Sequence, residues 1–514
     1  MSSTAEIKFG PIYRGRDVHQ TPEGRSYNLT NVYRTRDGTL RKRPGYDLYK
    51  DFSSAYYITR IWANPLDNTT DGIIVARNSS GTNLIIDHLR SDGTVANQIN
   101  ASSANLLNNT IPSFAGISAT RIGIGAGLDI VDLSGIPGAP SVATLTNGPA
   151  AVRQLNGLIM ARGYLMAAEG STQLTYFNNN SSASFNTAAD WRTYENNRKP
   201  DNAIAIFNVR EEILNLGYQT VEFAWLDGVT PWAEVDSSYI PYGVSSGATN
   251  SPCRVGDDVY FISKVDGALK VLRVIGANHS LQEISSDIAA TLRENSIPTI
   301  TDGDFELWAY SVTGATFTFD NIPYYVLSDW DTLNGITLLY DTLNKEWLRW
   351  GAYSGGIFTA FPFRSFTTPE LQNTNTPTLG LRGPYVLAST TAQVSKVYAI
   401  DKSFANDDDA AIRCELETGK ITHGTMNQKR CEWYRFYVKR VDGGQFVLYV
   451  NDENQGYDAG EVVSLDPNET TEYTMAEVRN VGVYRSRQIK LVHSSATDDF
   501  ELVRMEEGFT VLRS

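Results

Sequence analysis

A chain of 514 residues is well past the size at which a single hydrophobic core stops growing, so about two to four domains are expected. Apolar residues at 41% and charged residues at 20%, with 41 glycines, exclude a disordered chain and favour a turn-rich, β-rich protein. The formal net charge of −14 argues against a protein that grips nucleic acid by neutralising phosphates, which needs clustered Lys and Arg.

The opening residues, MSSTAEIKFG, lack the basic and apolar regions of an export signal. No run reaches the roughly 18 apolar residues of a membrane helix, so a soluble chain is expected. The early segment is locally basic: Arg14, Arg16, Arg25, Arg34, Arg36, Arg41, Lys42 and Arg43 outnumber Asp17, Glu23 and Asp37. Such a cluster reads as a solvated or interface face, or as an anion contact. Within it, YNLTNVYRTRDGTLRKRPGYDLY predicts a hairpin turning at Asp37–Gly38, then a Pro44–Gly45 turn into the first blade of the next domain.

From about Ser53 to Ala411 the chain reads as short apolar runs bounded by Gly, Asn and Asp turns. GIIVAR pairs with NLIIDHL, RIGIGAG with LDIVDL, and DDVYFISK with LKVLRVIG, each pair an antiparallel hairpin. Repeated over roughly 360 residues, the spacing fits about six to eight four-stranded blades of a β-propeller. The clearest unit is PYYVLSDWDTLNGITLLYDTLNKEWLRWGAY, with a strand at Leu338–Tyr340, a turn at Asp341–Lys345, and Trp347 and Trp350 on the returning strand. One stretch departs from this pattern. Leu281, Ile284, Ile288 and Leu292 fall at helical spacing, so a short helix is predicted over Leu281–Asn295, capped by Ser285 or Ser286 and ended by Ile297–Pro298.

A Thr, Asn and Pro-rich linker, Thr367–Thr378, and an acidic run, Asp407–Asp409, precede a change of pattern. In CEWYRFYVKRV, Tyr434, Phe436 and Val438 alternate with Trp433, Arg435, Tyr437 and Lys439, as in a half-buried strand. With QFVLYV, RQIKLVHS and FELVRMEEGFTVL this gives a β-sandwich-like module of about 100 residues. The expected fold is therefore all-β: an N-terminal strand segment (1–50), a β-propeller (51–412) and a C-terminal β module (413–514).

No motif satisfies a catalytic template, so no catalytic, cofactor-binding or metal-binding residue is assigned and no cofactor is expected. Gly243-Val-Ser245-Ser-Gly247 has the spacing of a nucleophile elbow but is followed by Ala-Thr-Asn-Ser-Pro, a poor helix start, and reads as a flexible, partner-facing loop. Gly123, Gly125 and Gly127 precede a strand where a dinucleotide loop needs a helix, and read as a hairpin tip. Asn451–Val462 has Gly456 at a turn, but Glu461 falls one residue early for a calcium loop; it reads as a solvated hairpin. The histidines 19, 88, 279, 423 and 493 make no metal spacing. Cys253, Cys414 and Cys431 are too few and odd in number, pointing to buried free thiols and a reducing compartment.

The run REEILNLGYQTVEFAW, followed by YIPYGVSSG, CRVGDDVYFISKVDG and SLQEISSDIAATLREN, resembles the tail-nozzle, or packaged-DNA stabilisation, proteins of short-tailed bacteriophages. Gly217, Glu222, Gly243, Gly256, Asp257 and Ile284–Ser285 carry the likeness, with Gly243 in what the family presents as an exposed loop. Asn31, Gly38, Leu40, Arg43, Pro44 and Gly45 resemble the family's N-terminal signature. The strand around Trp433 and Arg435, and Arg485–Arg487, resemble its C-terminal module. The resemblance implies a structural virion protein and not an enzyme. It would be a homo-hexameric ring below the portal and adaptor that extends the DNA channel, holds packaged DNA with a tail plug or needle, and supports tail fibres or spikes. It would lie in the virion tail, after assembly in the host cytoplasm, without inserting in a membrane itself. The negative charge would let double-stranded DNA pass with few sticking points, within a screening length of about 10 Å. Asp407–Asp409 and Glu506–Glu507 are the candidate lumen acids. The alternative is a virion-associated carbohydrate-binding or depolymerising propeller with paired carboxylates in a cleft.

Overall fold

The computed structural model describes residues 2–13, 21–53, 56–64, 72–78, 84–90, 93–100, 111–118, 121–125, 130–134, 141–145, 152–153, 155–170, 172–178, 191–195, 201–225, 233–234, 239–289, 292, 312–329, 336–368, 386–390, 395–439, 444–453, 455–465 and 473–512. Within them the chain is strand nearly throughout, with 3-10 turns at Ser246–Ala248 and Ser286–Ile288. Among the described residues no helix is long and apolar enough to cross a membrane.

Five antiparallel four-stranded sheets follow one another from Tyr57–Trp62 to Ser280–Glu283, each wound in chain order. Val312–Phe319, Ile322–Asp329, Thr337–Asp341 and Glu346–Ser354 make a sixth. The seventh combines Phe363–Thr367, Val386–Thr390 and Lys396–Asp401 with Gly45–Asp51 from the other end of the chain. The described residues thus form a seven-bladed β-propeller. Its last blade closes the ring with an N-terminal outer strand. At the seam, Ile61 N donates to Ser365 Oγ and Ala63 N to Thr367 Oγ1, both at 3.1 Å, joining the first blade to the last.

The Pro44–Gly45 turn therefore leads not into the first blade but onto the rim of the seventh. Gly45 suits this place because a Cβ there would stand 1.8 Å from Asn406 O. Nor do the first 50 residues form a unit of their own. Ser2–Ile7, Val32–Arg34 and Leu40–Lys42 join Lys429–Lys439, Tyr473–Arg479, Val483–Tyr484 and Glu501–Val511 in a seven-stranded sheet. Against it packs a second layer of Ser26–Thr30, Ala410–Thr418, Arg487–Ser495, Gln445–Asp452 and Glu461–Ser464. Phe436 meets Phe446 edge-on at 4.9 Å, and Phe446 meets Phe500 at 5.7 Å, between the layers. The alternation read at 433–439 is observed, with Tyr434, Phe436 and Val438 fully buried. The propeller is thus inserted into a β-sandwich built from both ends of the chain.

The helix predicted over 281–295 is mostly absent from its first half. Ser280–Glu283 is the outer strand of the fifth blade, followed by the 3-10 turn and helical residues at Ala289 and Leu292. Ser285 caps nothing; its Oγ accepts from Val271 N at 2.9 Å, continuing the sheet edge. Ile284, Ile288 and Leu292 are buried, so the apolar spacing marked a core-facing segment whose backbone the neighbouring strand had already claimed. Gly123 lies within the strand Arg121–Gly125 and Gly125 is its last residue, paired with Ile130; a Cβ on Gly125 would stand 2.6 Å from Val152. Gly127 and most of the Thr367–Thr378 linker lie outside the described residues.

Candidate functional site

Four described residues of the basic N-terminal cluster are spent inside the molecule: Arg43 and Arg34 tie the sandwich to the propeller, and Arg41 and Lys42 hold the sandwich itself. Arg43, fully buried, grips Asp407 with both arms, Nη1 donating to Oδ1 at 2.7 Å. Arg34 donates to Glu346 through Nε at 2.8 Å and Nη2 at 3.2 Å, and burial still pushes the Glu346 carboxyl up. Arg41 reaches Asp499 at 2.8 Å, and Lys42 Nζ donates to the carbonyls of Ser495 and Asp498 at 2.9 and 2.6 Å. Arg14 and Arg16 lie outside the described residues.

Asn31 is the node of this junction. Its φ of 57° is left-handed, where Asn is favoured among side-chain-bearing residues. Its Oδ1 accepts from Arg43 Nε at 2.9 Å and Gly351 N at 2.8 Å, and its Nδ2 donates to the carbonyls of Gly351 and Arg413 at 2.9 and 2.8 Å. One side chain thereby joins the N-terminal hairpin, the sixth blade and the second sandwich layer. Trp350 Nε1 adds a donor to Val32 O at 3.1 Å.

These pairings correct the reading of the acidic runs. Asp407 is buried and neutralised by Arg43, and Glu507 is fully buried, accepting from Tyr484 Oη at 2.6 Å and sharing a 3.0 Å contact with His423. Neither can line a lumen, because a carboxylate this deep is retained only with partners. Asp408 and Asp409 are exposed.

The Gly243–Gly247 segment is likewise not an exposed flexible loop. Gly243, Val244, Ser245 and Gly247 are buried, and Val244 N donates to Gly217 O at 2.8 Å. Glycine is required at 243 because a Cβ would meet Gly217 O at 2.3 Å. The Ser245 hydroxyl has no partner among the described residues, whereas an activated nucleophile needs a base in reach. Asp201 accepts from the backbone of Tyr218, Gln219 and Thr220 beside it, and so fixes this turn. Asn451–Val462 forms the hairpin between Gln445–Asp452 and Glu461–Ser464, with Gly456 at φ 96°. Of the described histidines, His88 is buried in the strand Leu84–Arg90, and 279, 423 and 493 are engaged locally, His423 stacking on Phe509 at 4.2 Å. All three cysteines are free and buried, with burial pushing Cys253 and Cys414 up to about 12. No group of three or more His, Cys, Asp and Glu suited to a metal occurs among the described residues.

What remains open is the outer face of the seven-stranded sheet. Tyr473 and Met475 are 46% and 47% exposed, and Val483 47%. Lys439 and Tyr437 stand opposite Tyr473 and Met475 in register, Arg435 and Trp433 opposite Glu477 and Arg479, and Arg430 opposite Val483. Arg435 Nε donates to Glu477 at 2.7 Å and Arg479 also holds Glu477, whose pKa these two hydrogen bonds lower. Arg435 lies over the Trp433 ring at 4.1 Å and Arg504 over Tyr437 at 4.2 Å. Tyr473–Arg479 pairs on one side only among the described residues, leaving a strand edge next to the apolar strip. The sequence flagged the Trp433 face but not Tyr473 or Met475, whose segment has no distinctive motif; strand alternation around Met475 was the available signal.

Fold and surface together define an all-β protein of the propeller class, with an exposed, partly apolar face on its seven-stranded sheet. Residues 118–321 match the family model Phage_stabilise, described as "Bacteriophage P22 Gp10, beta-propeller". The match contains Gly217, Glu222, Gly243, Gly256, Asp257 and Ile284–Ser285, and it bears out the resemblance to the phage tail-nozzle, DNA-stabilising family. It indicates a phage tail protein that stabilises packaged DNA. None of the curated proteins matches the sequence. Among solved structures, the extracellular domain of a hybrid two-component system from B. thetaiotaomicron is 11% identical with a TM-score of 0.40. That alignment covers 84% of this chain and 47% of the other, so this chain spans about half of that protein's length. The N-terminal domain of Nup159 is 10% identical (TM-score 0.38, covering 72% and 98%), and the Neurospora crassa Pan2 WD40 domain 8% (0.40, covering 70% and 96%).

Proposed function

We propose that this chain is a non-enzymatic, ring-forming tail nozzle. Copies associate through the outer face of the sandwich into a homo-hexamer that extends the DNA channel below the portal and adaptor. The ring retains packaged DNA together with a tail plug or needle, and offers surfaces for tail fibres or spikes. The family match over 118–321 carries this reading. The exposed strip of Tyr473, Met475 and Val483 on the outer sheet face supports it, since aromatic and Met side chains are enriched in interfaces. Each copy adds a charge of −14, so a channel of such copies repels phosphates near its wall and lets the genome pass. The exposed Asp408 and Asp409, and not Asp407 or Glu507, are the wall candidates in this turn and sheet.

Electron microscopy of the virion tests the reading. A six-fold ring of this chain on the tail axis is expected; an isolated copy, or a trimer at the periphery, would remove the proposal. A depolymerising propeller would instead release reducing ends from host polysaccharide.

A further inference from the structure

Residues from the inner strands of all seven blades surround a cavity of about 480 Å³ on the propeller axis. Arg60 and Arg364 are in its wall, with Arg254, whose guanidinium pairs with Asp257 at 3.8 Å, and none of the described lining residues is Asp or Glu. That is a local inversion in a chain with 58 acidic and 44 basic residues. Arg60 Nη1 donates to Pro112 O at 2.7 Å and to Leu155 O, and Arg364 Nη2 donates to Ile58 O. Carbonyls fix these guanidinium groups without neutralising them. Arg364 is 9% exposed, and its Nε has no hydrogen-bond partner among the described residues; the same holds for Thr313 Oγ1, in a residue 4% exposed. Arg60 is half-buried by area, its open part being cavity wall. Burial lowers both arginines to about 10, so each stays cationic at neutral pH. Phe114, Phe317 and Phe366 supply apolar wall around them.

A buried cation without a counter-charge is costly, and a guanidinium fork matches an oxyanion that accepts two hydrogen bonds at once. We propose that the axial cavity is a binding site for a small tetrahedral oxyanion of the phosphate or sulfate type. Arg364 and Arg60 supply charge and Thr313 supplies a neutral donor. The site belongs to each propeller by itself and does not depend on ring formation.

Thermal unfolding of the full chain at fixed pH and ionic strength tests it, with chloride replaced stepwise by phosphate, sulfate or acetate. A saturable rise of Tm is expected in phosphate or sulfate and not in acetate, following the linkage between ligand and native state. Arg364→Gln should weaken the half-saturation point by about tenfold or more, the loss expected for a charged hydrogen bond. Thr313→Val, which keeps the side-chain shape, should weaken it less. Equal Tm in the three salts, or a non-saturating rise shared by Arg364→Gln, overturns the proposal and leaves the arginines as staples between blades. Saturation by acetate equal to that by phosphate overturns the tetrahedral preference. Should Arg364→Gln fail to fold, calorimetric titration of phosphate into the wild-type and Thr313→Val chains decides; no binding heat in either at several temperatures overturns it.

Discussion

In the first six blades each strand pairs with the next one in the chain, as Asp258–Val265 does with Ala268–Ile275; the seventh alone takes a distant strand, Gly45–Asp51. In the sandwich Ser2 stands opposite Thr510, Leu40 opposite Leu502, and Leu29 opposite Leu416. The two regions also differ in their seams. Blades meet mainly through apolar side chains such as Ile213, Leu214 and Phe223, whereas the sandwich meets the propeller through apolar contacts such as Tyr33–Phe319 and, in addition, through Arg43–Asp407, Arg34–Glu346 and the Asn31 node. Local pairing closes small loops and long-range pairing closes large ones. The blades can therefore form from their own hairpins, but the sandwich needs the ring to bring the chain ends together. The buried polar junction then fixes one docking of two otherwise complete sheets, a specificity role to which hydrogen-bonded ion pairs are suited.

The sharpest way to break this contrast is Arg43→Met. It leaves Asp407 buried without its cation and should cost about 3–5 kcal/mol. Hydrogen exchange should show lost protection at 434–438 while 213–216 in the fourth blade is retained, and Arg43→Met combined with Asp407→Asn should recover much of the loss. Equal loss of protection in both regions would mean that they unfold as one unit.

Acid should weaken the sandwich before the blades. Burial pushes the His493 imidazole below its ordinary value of 6.5, with Lys42 adding to the shift. The unfolded chain then takes up a proton that the native chain refuses. Its contribution is neutral above about 6.5, and stability falls as pH drops from there toward the lower native value, with a slope of at most about 1.4 kcal/mol per pH unit. His493→Gln should flatten that part of a pH series of urea midpoints.

Ile213→Val in the fourth blade should cost about 1 kcal/mol and shift exchange only in its own and neighbouring blades. The smallest effect on stability, within about 0.5 kcal/mol, is expected for Tyr473→Ser with Met475→Ser on the outer sheet face. Mass photometry should nevertheless show this variant failing to assemble while the wild-type chain forms rings.

Hairpins were legible because strand, turn and return strand are contiguous. Thr337–Asp341 and Glu346–Ser354 around Trp347 and Trp350 are the clearest case, and the Asp37–Gly38 turn, with Gly38 at φ 86°, is another. The misread stretch at 281–295 shows the limit: Leu281, Ile284 and Ile288 mark burial, but the same spacing serves a strand end followed by a 3-10 turn. The candidate docking face was half legible, through the alternation at Trp433–Lys439, and its partner strand was not.

The amino-acid order by itself determined the β class, the hairpin punctuation and the family likeness around Gly217 and Gly243, since each rests on residues a few positions apart. Only the tertiary structure decided that Gly45–Asp51 closes the seventh blade, that both termini build one sandwich, and that Arg43 and Asp407, 364 positions apart, neutralise each other. A strand edge specifies its own face and twist but not its distant partner. That choice follows from which unpaired edges the closed ring leaves side by side.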